Sequence, residues 1–283
     1  MKLAVATIQM PSELAEVGAN IARADGLLAE ARRQGAALAV LPELFNTGYG
    51  PHSRLGAYAE PADGPTIRHL SGRSRLWRMG IAAGFAERDG RDLFNSLALC
   101  LPDGAVHVYR KRNLVFWERF RFRPGRSSPM VATPWGRVGL AICADMIYRR
   151  VWDEFRGRID LAVIAAAWPD FACRLRDRKH WLLGHVGPMA AEIPAKVAGD
   201  LGVPVIFANQ CGPTTTTIPV LGLALVERIA DTFAGRSSIS EGRAGPYLVA
   251  GTGPEMLLSE VTLPEPRRPR PCRFTSPSVV EAT

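Results

Sequence analysis

The chain has 283 residues, of which 47% are hydrophobic and 22% charged, with glycine and proline spread along its length. This composition can fill a sizeable core in one large domain or two small ones, and it excludes a disordered or fibrous protein. No stretch reaches the ~18 consecutive apolar residues of a membrane helix, and residues 1–10 lack a signal-peptide pattern. We therefore expect a cytoplasmic protein with no membrane partner.

The formal net charge of +8 raises the question of nucleic-acid binding, because basic surfaces attract phosphate. The strongest basic runs lie at 119–126, 174–179 and 267–273. None of these runs has the interleaved aromatic and glycine pattern of an RNA-recognition sheet, and none resembles a helix-turn-helix. We therefore expect no nucleic-acid partner and interpret the arginines as solvated side chains and subunit contacts.

Cysteine usage argues against a disulfide scaffold and against a metal site. The cysteines are odd in number and far apart, without a C-x-x-C pair or histidines at zinc-ligand spacing: Cys100, Cys143, Cys173, Cys211 and Cys272. No glycine-rich phosphate loop precedes a helix, so the sequence indicates no cofactor. At least one free thiol therefore requires an explanation.

Hydrophobic periodicity and turn residues predict the elements in chain order. The first half contains a strand at 2–10, a helix from Ser12 as its cap to Arg33, a strand at 37–41, a helix at 65–79, and strands at 80–87, 93–101 and 106–110. The second half contains a strand at 137–142, a helix at 149–155, a strand at 160–166, a helix within 181–201, and strands at 203–209, 236–240 and 247–250. This order predicts a layered α/β protein with mixed sheets.

The chain contains no convincing internal linker, so we expect one domain over residues 1–263. Residues 264–283 are rich in proline and arginine. This C-terminal tail is predicted to be either disordered or an arm that packs on another subunit.

Three apolar strands each end in a side chain capable of chemistry. Glu43 follows the strand at 37–41, Lys111 follows the strand at 106–110, and Cys143 follows the strand at 137–142. Taken separately, each has an ordinary interpretation: a helix cap or surface carboxylate, a solvated lysine, and a buried core thiol. Because sites in open α/β sheets form outside the carboxyl ends of strands, the three side chains could converge in one crevice.

The sequence around each of these residues resembles a motif of the nitrilase, or carbon–nitrogen hydrolase, superfamily. The segments are Leu-Pro-Glu-Leu-Phe at 41–45, Tyr-Arg-Lys-Arg-Asn-Leu at 109–114 and Gly-Leu-Ala-Ile-Cys-Ala-Asp-Met at 139–146. Their order also fits, and so do secondary segments at 122–125, 208–212 and 235–239. The resemblance covers about residues 1–263. It implies a carbon–nitrogen hydrolase domain with a four-layer α-β-β-α sandwich, which usually pairs into a dimer or a higher homo-oligomer.

The resemblance implies a thiol mechanism for these residues. Glu43 would act as general base, and Lys111 would stabilise the thiolate of Cys143 and the tetrahedral oxyanion. The backbone N–H of Ala144 would be a second oxyanion donor, and a thioester on Cys143 would be the intermediate. Glu118 matches a second glutamate of the family, with a surface salt bridge to a neighbouring arginine as its ordinary interpretation.

The residues after the cysteine indicate the type of substrate. Cys143 is followed by Ala-Asp, where true nitrilases typically have Trp-Glu, so the chain resembles the amidase and carbamoylase branches. We therefore expect a small amide or N-carbamoyl substrate. Relatives that bind a substrate carboxylate tend to have arginine three or four residues after the cysteine, where this chain has Met146 and Ile147. Arg149 and Arg150 come later and could face the pocket or solvent.

Aromatic and apolar residues near the motifs are candidates for the substrate pocket, each with core packing as the alternative: Tyr49, Phe116, Trp117, Met146 and Trp168. The threonine run at 214–217 is predicted to be a β-prone loop at the entrance. The sequence leaves three alternatives open. The protein could hydrolyse a nitrile, it could transfer the acyl group to an amine, or it could be a non-catalytic member of the same fold.

Overall fold

A computed structural model describes residues 1–127, 129–170, 186–219, 226–242 and 247–264. The strands, numbered in chain order, are β1 (Lys2–Gln9), β2 (Leu38–Val40), β3 (Gly80–Asp89), β4 (Asp92–Cys100), β5 (Val106–Arg110), β6 (Met130–Thr133), β7 (Gly136–Ile142), β8 (Leu161–Ala166), β9 (Val205–Asn209), β10 (Cys211–Pro219), β11 (Val226–Ala234), β12 (Ser238–Ser240), β13 (Tyr247–Val249) and β14 (Glu255–Thr262). The helices are α1 (Val17–Arg33), α2 (Leu55–Tyr58), α3 (Pro65–Trp77), α4 (Glu118–Arg121), α5 (Arg149–Phe155) and α6 (Val186–Leu201), with a 3-10 turn at Cys143–Ile147.

The strands form two six-stranded sheets and one separate hairpin. The first sheet has the order β14-β1-β2-β3-β4-β5, and the second has the order β13-β12-β9-β8-β7-β6. Each sheet has a parallel centre, β1-β2-β3 in the first and β7-β8-β9 in the second, flanked by antiparallel strands. Strands β10 and β11 pair with each other, and an isolated bridge joins Phe233 of β11 to Pro169. Both sheets are therefore mixed.

Side-chain alternation along the strands divides the core into layers. In β1, Val5 packs between the two sheets, whereas its neighbour Ala6 packs on the opposite face with Leu28 of α1 and Leu70 of α3. The hydroxyl of Thr7 crosses the interior and donates to a backbone carbonyl of β9, at 2.8 Å. Helices α5 and α6 pack on the outside of the second sheet. The fold is thus the predicted four-layer α-β-β-α sandwich.

The structure corrects several element boundaries. Helix α1 begins at Val17 rather than at Ser12, because Ala15 adopts a positive φ of 66° that interrupts helical geometry just before Glu16. Strands β6 and β14 were not predicted, and the threonine run at 214–217 lies within β10 instead of a loop. No helix in the described ranges is long and apolar enough to cross a membrane.

Several sequence predictions fall outside the described residues. They are the tail beyond residue 264, the basic runs at 174–179 and 267–273, the first five residues of the range 181–201 within which a helix was predicted, and two of the five cysteines. The other three cysteines are buried free thiols: Cys100, Cys143 and Cys211.

Candidate active site

The carboxyl ends of three strands deliver the three candidate side chains to one buried cluster. Lys111 follows β5 directly, Cys143 follows β7 directly, and Glu43 lies three residues beyond β2. All three side chains are buried. The pairing of β7 with β8 places the cysteine beside the end of β8, and the first sheet supplies the other two residues. The cluster therefore lies between the two sheets.

Lys111 joins two carboxylates at the centre of this cluster. Its ammonium donates to Glu43 Oε1 and to Glu118 Oε1, at 2.7 Å each, and all three side chains are inaccessible to solvent. Burial alone would lower the pKa of Lys111, but Glu118 and Glu43 outweigh it, so the net pKa lies well above the usual value. Lys111 is therefore a permanent cation at neutral pH. Glu118 pairs with this lysine and not with a surface arginine.

Glu118 has a pKa raised to about 7, because it is buried and stands close to a second carboxylate. Lys111 opposes this rise, as does the backbone N–H of Val115, which donates to Glu118 Oε2 at 2.8 Å. The cluster thus contains two acidic groups and one permanent cation. One carboxylate changes its proton occupancy near neutral pH.

Cys143 is the first residue of the 3-10 turn that directly follows β7. Its φ of 46° lies in the left-handed region, which is unusual for a residue with a side chain and is associated with functional sites. Burial and the nearby Glu43 carboxylate raise the pKa of the thiol well above its usual value, whereas Lys111 and a hydrogen bond from the Ala167 N–H lower it. At rest the sulfur is therefore a neutral thiol.

The backbone of Ala167 connects the cysteine to the base. Its N–H donates to Glu43 Oε2 at 2.8 Å and also lies within hydrogen-bonding reach of the Cys143 sulfur. Ala167 comes directly after β8, so strand pairing fixes this donor in place. The sulfur and the Glu43 carboxylate are therefore both within reach of the same backbone N–H donor.

Asp145 fixes the turn that carries the cysteine. Its carboxylate accepts hydrogen bonds from the Tyr109 hydroxyl at 2.7 Å, from the Ile142 N–H at 3.0 Å, and from both the backbone and the side chain of Asn113. Tyr109 and Asn113 flank Lys111 in sequence, so this one carboxylate ties the lysine segment to the cysteine segment. Four donors compensate for the burial of its charge.

Aromatic rings stand beside the cluster. The ring of Tyr49 lies 6.0 Å from the Lys111 ammonium and contacts Trp117 edge-on, with ring centroids 5.2 Å apart. Phe233 at the end of β11 contacts the same tyrosine at 6.2 Å. Burial and the neighbouring Glu118 raise the pKa of Tyr49, so its phenol remains protonated at neutral pH. The sequence indicated Tyr49 and Trp117 but not Phe233, which lies far along the chain.

The remaining pocket candidates occupy different environments. Ala144 is buried at the start of the 3-10 turn, where backbone N–H groups have no acceptor within the turn. Met146 is buried in the hydrophobic core, and its carbonyl accepts from the Trp152 indole. Trp168 is anchored by its own indole, which donates to the Val186 carbonyl at 2.7 Å. Phe116 is 43% exposed and has a φ of 46°.

The two arginines after the cysteine are both engaged away from it. Arg149 is exposed and pairs with Asp153 at 3.4 Å, and Arg150 donates to the side-chain carbonyl of Asn113. Apart from Lys111, the described residues provide no hydrogen bond or ion pair from a basic side chain to the cluster. These residues also contain no group of three or more acidic, histidine or cysteine side chains arranged to hold a metal ion.

A surface cleft of about 860 Å³ opens on the other side of the first sheet, away from this cluster. Phe94, Val108 and Arg110 line the cleft, and none of its lining residues belongs to the cluster. Neighbouring residues alternate along β4 and β5, so Asn95 and Lys111 face the cluster instead. The cleft is therefore no part of the candidate site.

Fold and site together define a four-layer sandwich protein with a buried cysteine, lysine and glutamate cluster between its sheets. The family model described as carbon-nitrogen hydrolase matches residues 4–239. The chain belongs to the carbon–nitrogen hydrolase family.

Two relatives and two solved structures illustrate the similarity. The chain is 37% identical over 148 residues to a nitrilase of Pyrococcus abyssi. It is 36% identical over 156 residues to the omega-amidase NIT2 of Bos taurus. Each match covers 51% of this chain. These matches cover 56% and 55% of the relatives, so the chain spans about half the length of the curated relatives it matches. Nit3 of Saccharomyces cerevisiae has a TM-score of 0.72 at 22% identity, with 92% of this chain and 90% of that chain covered. An amidase of Nesterenkonia sp. has a TM-score of 0.70 at 22% identity, with the same coverage. These two structures share the fold.

Proposed function

We propose that the protein hydrolyses the carbon–nitrogen bond of a small amide or N-carbamoyl compound through a thioester on Cys143. The observation that carries the proposal is the shared environment of the thiol and Glu43, with one backbone N–H reaching both and a permanently cationic lysine between two carboxylates. A buried cysteine with a purely structural role needs neither a base nor a cation beside it.

The first step forms the carbon–sulfur bond. The resting thiol is neutral, so Glu43 takes its proton while the sulfur attacks the substrate carbonyl carbon. The carbonyl π-electrons move to oxygen and form a tetrahedral oxyanion. An ammonium has three hydrogens, and two of those on Lys111 go to the carboxylates, which leaves the third for the oxyanion. The N–H of Ala144 supplies a second donor.

Collapse of the tetrahedral species breaks the carbon–nitrogen bond. The protonated Glu43 returns its proton to the leaving nitrogen, which departs as ammonia or an amine. Glu43 then takes a proton from water as the water oxygen attacks the thioester carbon. When the carbon–sulfur bond breaks, that proton restores the Cys143 thiol, and the acid product leaves. The carboxylate ends each half-reaction in the state in which it began.

The surroundings of the cluster favour an uncharged acyl group. Tyr49 presents its aromatic ring beside Lys111, Trp117 and Phe233 pack against that ring, and the arginines at 149 and 150 are committed elsewhere. The names of the relatives, an omega-amidase and a nitrilase, are consistent with amide chemistry and with a nitrile substrate respectively. The Ala-Asp sequence after the cysteine supports the amide, and acyl transfer to an amine would use the same thioester.

The test is ammonia release from a panel of neutral amides, ω-amides that carry a carboxylate, N-carbamoyl acids and nitriles. Intact-protein mass spectrometry follows the covalent adduct in parallel. We expect ammonia from neutral amides and an adduct that is absent in Cys143→Ala. The matched control is Cys100→Ala, because Cys100 is also a buried free thiol but has no carboxylate or lysine coupled to it.

Ammonia release that survives in Cys143→Ala would refute the thioester mechanism. A preference for nitriles would replace the amide by the nitrile as substrate. A lack of ammonia and adduct across the panel, with Cys143 unreactive to iodoacetamide, would indicate a non-catalytic member of the family. We also propose a homodimer or a higher homo-oligomer on the strength of the family resemblance, and light scattering after size-exclusion chromatography tests it.

A further inference from the structure

Asn95 is a buried amide at the base of the cluster, and the sequence motifs do not include it. It lies in β4, one residue before Ser96, which pairs with Arg110 in the β4–β5 register. The next backbone hydrogen bond runs from the Lys111 N–H to the Asn95 carbonyl, at 2.8 Å. Strand pairing therefore fixes Asn95 beside the lysine.

The side chain of Asn95 bridges the two carboxylates. Its Nδ2 donates to Glu43 Oε1 at 2.6 Å and to Glu118 Oε1 at 2.8 Å, which uses both amide hydrogens. Lys111 donates to the same two oxygens. Four groups thus form a closed ring in which two donors alternate with two acceptor oxygens.

This ring determines which oxygen of Glu43 can accept a proton. Oε1 already accepts two hydrogen bonds, one from Asn95 and one from Lys111, so both of its lone pairs are occupied. Oε2 accepts the Ala167 N–H and no other donor among the described residues, which leaves one lone pair. The same N–H reaches the Cys143 sulfur, so the Glu43 oxygen that keeps a free lone pair is the one that shares a backbone donor with the thiol.

The charge balance explains why the second donor is an amide. When both carboxylates are ionised, the single ammonium leaves the buried cluster with one excess negative charge, which burial penalises. A second cation would neutralise the cluster and weaken the base. An amide donates two hydrogen bonds without adding charge, so it stabilises the ionised carboxylates while Glu43 remains able to accept a proton.

We propose that Asn95 is a positioning residue that occupies Oε1 of both glutamates and thereby directs the Cys143 proton to Oε2 of Glu43. The inference deepens the proposed function and rests on it for the role of Glu43 as base. Asn95 acts through the glutamates and does not touch the substrate.

The experiment compares Asn95→Leu with wild type by the pH dependence of Cys143 alkylation with iodoacetamide. Peptide mapping separates Cys143 from the other cysteines. Loss of two donors makes the ionised carboxylates less stable, so the acid limb of the rate profile should move to higher pH by about one unit. The kcat for an amide should fall while KM stays unchanged, because the residue contacts the base and not the substrate.

The matched control is Asn20→Leu. Asn20 is also a fully buried asparagine, and its amide donates to the backbone carbonyls of Glu13 and Asn46 instead of to a carboxylate. This variant should lose stability but keep the wild-type pH profile. Should Asn95→Leu fold poorly, Asn95→Ser retains one donor and should shift the acid limb in the same direction by a smaller amount.

A profile that superimposes on wild type in the folded Asn95 variants would overturn the inference and make the asparagine purely structural. The alkylation measurement does not require turnover, so the two proposals can fail separately. A shifted profile without ammonia release from any amide would keep the role of Asn95 and refute the hydrolysis. Ammonia release from an amide together with an unshifted pH profile would keep the proposed hydrolysis and refute the role of Asn95.

Discussion

Replacement of Lys111 by methionine tests whether the lysine is the charge that holds the cluster together. Methionine keeps a long unbranched side chain but removes the ammonium that lies 2.7 Å from each of two buried carboxylates. Two acidic groups then stand close together in the core without a cation. Removing one partner of a buried ion pair typically costs about 3–5 kcal/mol in the free energy of unfolding. For a domain of this size that corresponds to a melting temperature roughly 6 to 20 °C lower.

The loss should depend on pH in a definite direction. Glu118 has a folded-state pKa of about 7, above its value in the unfolded chain, so its protonated form stabilises the fold at low pH. That contribution disappears as the pH rises through 7. Lys111 lowers the pKa of Glu118, so its removal moves this pKa higher and extends the loss above pH 7. We therefore expect a large destabilisation at pH 8 and a smaller one at pH 5.

The assay is thermal unfolding by circular dichroism and calorimetry at pH 5 and pH 8, for wild type and variant. Lys2→Met is the matched control, because Lys2 pairs with Glu260 at 3.3 Å on the exposed surface. Exposed pairs contribute little, so the control should unfold close to wild type at both values. A Lys111→Met protein that melts like wild type at pH 8, or loses the same stability at both pH values, would refute the buried-cluster reasoning.

Four further outcomes follow from the site. Glu118→Gln should remove the ionisation near pH 7 from the kcat/KM profile and lower kcat/KM by about 100-fold, measured by ammonia release. Glu43→Gln should lower kcat by about 10²–10⁴-fold and slow Cys143 alkylation, because an amide cannot accept the thiol proton. Tyr49→Ala should raise KM more than it lowers kcat, because it removes the ring that contacts Trp117 beside the cluster, and steady-state kinetics separates the two. Gly84→Ala should reduce activity, since an added Cβ would stand 2.5 Å from the Glu43 Cα, and an unchanged kcat would show that the strand end can move.

Much of the architecture was predictable because it follows from local pattern. Helix α5 was predicted with the observed bounds, and strands β5 and β7 differ from the prediction by at most one residue at either end. Strand β7 ends in a buried apolar run before Cys143, and β5 ends directly before Lys111, so the positions of both residues at strand ends could be read from the sequence. The convergence of the strand ends followed from α/β topology.

The missed strands depend on pairing that the local sequence pattern does not reveal. Strand β14 pairs with β1 across roughly 250 residues of sequence, and β10 pairs with β11 in a hairpin apart from both sheets. Neither sequence alternates regularly between apolar and polar residues as a half-buried strand does, so hydrophobic periodicity did not predict them as strands. The start of α1 was misplaced because the positive φ of Ala15 cannot be inferred from an alanine, which strongly favours helix.

Within the site, too, the sequence identifies some residues by their type, whereas others are identified only by their contacts. The motifs supply the groups that exchange protons or carry charge, since those require particular residue types: a thiol, a carboxylate and an ammonium. Asn95 and the Ala167 N–H hold these groups in place, and their importance comes from pairing between strands. A polar residue in an otherwise apolar strand was the available signal for Asn95, because a buried amide needs partners of its own. The backbone donor at Ala167 leaves no trace in the residue type, so only the strand pairing that places it identifies its role.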